Sequence, residues 1–189
     1  MTGMSICGYL WAAWLVVWLL WALRSKQTQQ RESVSSRLSY MALTFAAFWA
    51  MFGGNVPEGW LHTRLFAANL STDSLGIAIT AAGLGFALWA RAYLGRNWSG
   101  AVTIKVGHEL VRSGPYRWVR HPIYSGLILA MLGTAVERRQ VRGLIAVALL
   151  YAGFKIKSKI EEQAMAATFG PQYAEYASTT GAILPKLRG

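Results

Sequence analysis

The sequence predicts an all-α fold, a polytopic membrane helical bundle of about five transmembrane helices with a C-terminal helical hairpin. Three observations predict it. Of 189 residues, 54% are hydrophobic, the mean hydropathy is +0.30, and the apolar residues fall in long blocks rather than the short runs of a soluble core. Basic residues crowd against the ends of those blocks, where they suit a membrane boundary. Polar residues with distinctive chemistry gather in residues 91–189, leaving residues 1–90 as an apolar scaffold.

The first block, residues 6–23, is almost wholly apolar. As a helix it is long enough to cross a hydrocarbon layer of about 30 Å. No basic region precedes it and it is too long for a signal peptide, so it reads as an uncleaved first helix. Cys7 lies inside it. One cysteine and three histidines offer neither an intramolecular disulfide nor a metal-ligand spacing, and Cys7 reads as a small buried apolar residue. The second block covers residues 38–52, and Gly53, Gly54 and Pro57 mark a turn region after it. In the third block, residues 75–94, the pair Gly83 and Gly85 reads as close helix packing. No G-x-G-x-x-G turn lies between a strand and a helix, so a Rossmann-type domain is not expected.

Two shorter blocks, residues 123–136 and 143–154, flank the polar break Glu137-Arg138-Arg139-Gln140. That break predicts a tight antiparallel helix pair. The helical pattern of the second continues through Lys155, Lys157, Lys159, Glu161 and Glu162 to about Phe169. At 1.5 Å per residue this helix reaches roughly 40 Å and outlasts the membrane. Gly170 suits its C-terminal cap and Pro171 the start of a short final helix. That helix would set Tyr173 and Tyr176 on one face.

The net charge of +11 does not point to nucleic acid, because the basic residues sit as membrane flanks. Residues 24–37 carry four bases against one acid, and residues 91–120 carry six against Glu109 alone. Residues 53–73 carry only Arg64 against Glu58 and Asp73. The positive-inside rule then puts the N-terminus outside and the C-terminus in the cytoplasm. Arg138, Arg139 and Arg142 in the hairpin turn oppose this orientation.

Residues 95–113 hold Asn97, Trp98, Lys105, His108 and Glu109 without periodicity and read as an irregular interfacial loop. After it, Gly114-Pro115 makes a turn and Pro122 takes a first helical position. The N–H groups and positive dipole of that helix start suit a carboxylate or a polarised oxygen, with His121 at the edge. Taken singly, these residues have ordinary explanations. Tyr116, Trp118 and Tyr124 suit an aromatic belt, Arg117 and Arg120 suit headgroup anchors, and Lys157 with Glu161 suits a surface i,i+4 pair. Taken together they suit more. Two adjacent acids past a membrane helix gain nothing from anionic headgroups, but with a cationic, aromatic corner they suit a ligand of both signs of charge. S-adenosylmethionine, with a sulfonium, an amine and a carboxylate, is such a ligand.

The order LGRNWS, GHELVRSGPYRWVRHPIYSG and EEQAMAATFGPQYAEY, over residues 94–185, resembles the isoprenylcysteine carboxyl methyltransferase family, integral-membrane enzymes that use S-adenosylmethionine. The resemblance implies a cytoplasmic cofactor pocket shaped by His108, Glu109, Leu110, Val111, Tyr116, His121, Pro122, Ile123 and Tyr124. Glu161 matches the first acid of the family's pair, which contacts the cofactor, and Glu162 the second. The family's arginine four residues earlier, assigned to the substrate carboxylate, is Lys157 here. Lysine keeps the charge and loses the planar fork.

These readings predict methyl transfer to a lipophilic acceptor, with Lys157 and Glu161 as catalytic residues and S-adenosylhomocysteine as product. A carboxylate acceptor is already ionised at neutral pH and needs no general base. The expected partners are a lipophilic or lipidated substrate and membrane lipid, with no nucleic acid, metal or obligate protein partner. The rivals are a phospholipid amine N-methyltransferase, an NADPH-dependent membrane reductase, and a non-enzymatic membrane protein holding haem through His62, His108 or His121. Those histidines share no helix face, which argues against haem.

Overall fold

The computed structural model of the chain describes residues 5–23, 34–95 and 110–186. The predicted loop residues Asn97, Trp98, Lys105, His108 and Glu109 lie outside the described residues. Helices α1 (Ile6–Ala22), α2 (Val34–Phe52), α3 (Leu70–Leu94), α4 (Pro122–Arg138), α5 (Val141–Phe169) and α6 (Pro171–Thr179) follow in order. Among the described residues there is no strand, only the isolated bridges Arg64–Gln140 and Val119–Gly181.

Local chemistry sets most of the helix ends. Ser5 caps α1 by accepting from the Gly8 N–H at 3.2 Å, and Asn69 caps α3 by accepting from the Thr72 N–H at 2.8 Å. Helix α4 starts on Pro122 and ends at Arg139, whose φ of 60° turns the chain directly into α5. The predicted hairpin is therefore present, and the loop after α2 braces it. Leu65 N–H donates to the Arg139 carbonyl at 2.8 Å and Val141 N–H to Thr63 at 3.2 Å. The hairpin arginines have intramolecular work: Arg139 pairs with Asp73, Arg142 donates to the Gln140 side chain at 2.8 Å, and Arg138 lies over Phe52 at 5.9 Å. Helix α5 runs 29 residues before Gly170, at φ +50°, breaks it.

Helices α1, α3 and α5 run toward one end of the bundle, and α2 and α4 return. Ser5, the hairpin and residues 53–69 share one end, while Trp21, Tyr40, Arg91, His121 and Glu161 share the other. Helix α3 is the one described helix long and apolar enough to cross a membrane, and α1 is apolar but 17 residues long. The predicted segments are thus helical, but α4 stops at 17 residues and the second half of α5 is charged. Large apolar side chains face outward, among them Leu20 at 60% and Phe45 at 74% exposed. Such a surface suits lipid.

The tightest seam is between α3 and α4, which cross antiparallel with small residues at their contacts. A Cβ on Gly83 would lie 2.5 Å from the Gly126 carbonyl oxygen, and one on Gly133 2.7 Å from the Gly76 carbonyl oxygen. Gly83 therefore packs helix on helix as predicted, whereas Gly85 faces open space. Polar groups tie α1 into this seam. The Trp11 indole N–H donates to Thr134 at 3.0 Å, the Cys7 thiol to Thr80 at 3.4 Å, and the two threonine hydroxyls meet at 3.2 Å. Cys7 is fully buried, as expected of it.

Candidate functional site

The site is built where the start of α4 meets the far part of α5. The chain enters α4 through a 3-10 turn at Gly114–Arg117, and Pro122 supplies a first-turn φ without an orphaned N–H. The C-terminal residues then fold back over this entry. Arg120 N–H donates to the Gly181 carbonyl at 2.8 Å and His121 N–H to Ala182 at 2.9 Å. The Ser125 hydroxyl donates to the Ile183 carbonyl. The backbone donors just before α4, which sequence alone leaves open to an anion, are thus partly engaged by the chain itself.

His121 sits between two carboxylates. Its Nδ1 lies 3.3 Å from Glu161 Oε2 and its Nε2 3.2 Å from Glu162 Oε1. Tyr124 OH donates to Glu161 Oε1 at 2.6 Å. Arg120 donates to Glu162 Oε1 through Nε at 2.9 Å and Nη2 at 2.7 Å. An aromatic column backs the carboxylates: His121 stacks on Tyr124 at 5.4 Å, and Tyr124 on Phe154 at 4.5 Å. The Lys157 ammonium lies over the rings of Tyr40 and Tyr124, at 5.3 and 5.6 Å, a favourable cation–π arrangement.

The titrating groups His121, Glu161 and Glu162 lie toward the site end of their helices. His121 precedes α4, and the first twenty residues of α5 already span about 30 Å before Glu161 is reached. Burial, with the His121 side chain 10% exposed, opposes protonation of the imidazole most strongly. The two carboxylates outweigh it and hold the His121 pKa above its ordinary value. Burial likewise opposes ionisation of Glu161 and Glu162. Bonds from His121, helped by Lys157 on Glu161 and Arg120 on Glu162, hold both carboxyls below their ordinary value. All three shifts favour the ion-paired form of the cluster, an imidazolium between two carboxylates.

A raised imidazole pKa adds stability below 6.5 that fades as pH rises through the folded value. The lowered carboxyl pKa values add stability above 4.5 that fades as pH falls through theirs. The melting-temperature difference between wild type and His121→Gln in detergent is expected to be largest between pH 4.5 and 6.5 and to shrink as pH rises beyond 6.5. A difference that is flat or grows toward alkaline pH contradicts this charge assignment.

The structure brings together His121, Tyr124, Lys157, Glu161 and Glu162 from the predicted set. Pro122 is fully buried and Ile123 is 8% exposed, both packed beneath this surface. Leu110 and Val111 are partly buried, with Val111 against the core. Tyr116 is buried, and its OH points to the Ala90 carbonyl at 3.4 Å while its own carbonyl accepts from Tyr176 OH at 2.5 Å. His108 and Glu109 lie outside the described residues. His62 stands at the opposite end of the bundle, in the 3-10 turn Trp60–His62 that contacts α5 near the hairpin. Sequence reasoning missed three residues. Tyr40 and Phe154 sit in apolar runs with no local signal, and Arg120 read as a headgroup anchor although it holds Glu162. Two adjacent acids near one unassigned arginine were the signal for Arg120.

This donor set fits a zwitterionic ligand. A carboxylate offers about four lone-pair positions, and each Glu161 oxygen has one named partner, so positions remain for a ligand ammonium. Glu161 and Glu162 side chains are 20% and 26% exposed, within reach of solvent.

The model of the family described as phospholipid methyltransferase matches residues 72–172. The cobalt-zinc-cadmium resistance protein CzcN of Cupriavidus metallidurans is 30% identical over 150 residues, covering 78% of this chain and 62% of that protein. The protein-S-isoprenylcysteine O-methyltransferase of Mus musculus is 31% identical over 83 residues, 43% of this chain and 29% of that one. The solved structure of the eukaryotic intramembrane Ras methyltransferase ICMT, an isoprenylcysteine carboxyl methyltransferase, aligns with a TM-score of 0.52 at 23% identity. It covers 79% of this chain and 50% of that chain, so the likeness is one of fold. The chain thus spans less than two thirds of each of these three proteins. With the family model matched across the helices that build the site, the chain belongs to the phospholipid methyltransferase family and has isoprenylcysteine carboxyl methyltransferases among its relatives.

Proposed function

We propose that the protein is an integral-membrane methyltransferase that uses S-adenosylmethionine to methylate a carboxylate on a lipophilic acceptor. One observation carries this reading: Glu161, Glu162, His121, Tyr124 and Lys157 converge at one end of the bundle as a compact set of both charges. Membership of a methyltransferase family supports the reaction class. When bound, S-adenosylmethionine supplies an electrophilic methyl group on a sulfonium. Glu161 and Glu162 hold the ligand's ammonium, and the ring column of His121, Tyr124 and Phe154 gives it a flat wall. His108, Glu109, Leu110, Val111, Tyr116, Pro122 and Ile123 complete the pocket in this reading.

Lys157 faces the acceptor. Its ammonium, steadied by the Tyr40 and Tyr124 rings, orients an acceptor carboxylate by charge rather than through a bidentate fork. The chain contributes positioning and exclusion of water, since an ionised carboxylate needs no base. Residues 1–90 serve as scaffold and acceptor access, and residues 91–189 as the catalytic half, with Tyr40 crossing from the first to the second. Five helices span the membrane in this reading, with the N-terminus outside and the site and C-terminus in the cytoplasm. The long basic flanks at the site end support that orientation.

Phospholipid amine methylation is the second reading, favoured by the family's description. The Lys157 charge beside the site weighs against an ammonium acceptor. Labelled-methyl transfer into membrane extracts, with identification of the labelled product, separates the two, and no S-adenosylmethionine-dependent labelling would sink both. Lys157→Arg is expected to keep methyl transfer, and Lys157→Gln to lower kcat/KM by about tenfold or more, the loss of one charge-assisted bond. Equal kcat/KM in Lys157→Gln and wild type removes Lys157 from the acceptor site.

A further inference from the structure

We propose that the cavity between the 3-10 turn and α6 binds the phosphate of a membrane phospholipid headgroup, at a place separate from the methyl-transfer site. The cavity measures about 220 Å³ and is lined by Arg112, Arg117, Glu175, Tyr176, Thr179 and Thr180. None of these belongs to the His121–Glu161–Lys157 cluster. Arg120 stands between the two, with its guanidinium donating to the Ala177 and Thr180 carbonyls on one side and Glu162 on the other.

Two guanidiniums face one carboxylate here, so the cavity keeps an excess of positive charge. Arg112 is steadied without being used up. Its Nη2 donates to the Gln172 carbonyl at 2.7 Å and it lies over the Tyr176 ring at 5.8 Å. Its contact with Glu175 is long, at 3.7 Å, and the Glu175 side chain is 76% exposed. A guanidinium has five N–H donors, which leaves Arg112 donors for a phosphate. Arg117 is exposed, and its guanidinium lies over the Trp118 ring at 4.9 Å. Among the described residues no carboxylate pairs with it.

The neighbouring surface points to a headgroup rather than a soluble phosphate. Trp118, at 44% exposed, packs edge-on against Trp89 at 5.7 Å, and Trp89 against Tyr93 at 6.1 Å. Trp89 and Tyr93 are themselves 41% and 46% exposed. Exposed tryptophan and tyrosine rings concentrate at the level of lipid headgroups, where arginines meet phosphates. Arg117 joins this ring cluster to the cavity. A lipid seated there would hold α6 against the turn that carries Tyr116, through the Tyr176–Tyr116 bond.

Native mass spectrometry of the full chain in detergent, with phosphatidylglycerol and with diacylglycerol, tests the proposal. One phosphatidylglycerol is expected to stay bound, and diacylglycerol, which lacks the phosphate, is not. Arg112→Gln with Arg117→Gln is expected to cut retention about tenfold or more, while Arg64→Gln at the opposite end leaves it unchanged. Glu175→Gln, at an exposed position that does not threaten folding, is expected to raise retention. Millimolar inorganic phosphate should not displace the lipid, and displacement would overturn the headgroup assignment in favour of a free anion. Equal retention by the double arginine variant with wild-type melting, or lower retention in Glu175→Gln, overturns the site itself. None of these readouts depends on methyl transfer.

Discussion

Glu161→Gln is expected to weaken S-adenosylhomocysteine binding by about ten- to hundredfold, the worth of one hydrogen bond to a charged group. The substitution keeps volume and shape, so its effect is electrostatic. Glu161 accepts from Tyr124 at 2.6 Å and faces His121 at 3.3 Å. An amide there can still meet the tyrosine, but it no longer offsets the imidazolium or the Lys157 ammonium. Both positive charges would then stand where the ligand's ammonium must enter. Titration calorimetry in detergent measures this. Wild-type affinity in Glu161→Gln would dismiss the cofactor assignment, while wild-type melting with lost affinity would separate binding from folding.

Gly83→Ala and Gly85→Ala are expected to move stability in opposite directions. A methyl group on Gly83 meets the backbone of Ala130 and lies 2.5 Å from the Gly126 carbonyl oxygen, and neither can move aside as a side chain would. The α3–α4 seam must open, at a cost of about 1–3 kcal/mol or more. The buried Thr80–Thr134 contact at 3.2 Å lies in the same seam and would be stretched. Gly85 faces open space, and alanine there is expected to stabilise by about 0.4–1 kcal/mol through the unfolded chain. Thermal melting of the two variants in the same detergent decides it. Similar melting for both would mean that the seam is not close-packed.

The outline of the fold was legible where a local signal stops or starts a helix. The break at Glu137–Gln140, the pair Gly170-Pro171 and the proline at 122 each act on the backbone where they stand. The grouping of His121, Tyr124, Glu161 and Glu162 in the candidate site was legible for a related reason. His121 and Tyr124 are three residues apart on one helix start, and Glu161 and Glu162 are adjacent, so short spacings carry them. What lay beyond local spacing was not legible. The i,i+4 pair of Lys157 and Glu161 looked like a surface ion pair, yet Lys157 lies over rings from α2 and α4.

Apolar blocks, capping residues and charge placement determined a bundle of helices with apolar outer faces and an ionisable cluster at one end, because helix formation depends on residues close together in the chain. Tertiary structure alone decided that Tyr40 from the apolar half enters the site. It also decided that Arg120 holds Glu162 rather than a headgroup, and that the C-terminal residues cover the start of α4. The physical reason is that each of these contacts joins segments far apart in sequence. Their pairing follows from how α3 and α4 pack through Gly83 and Gly126 and from where the long α5 then ends, and no local pattern encodes either.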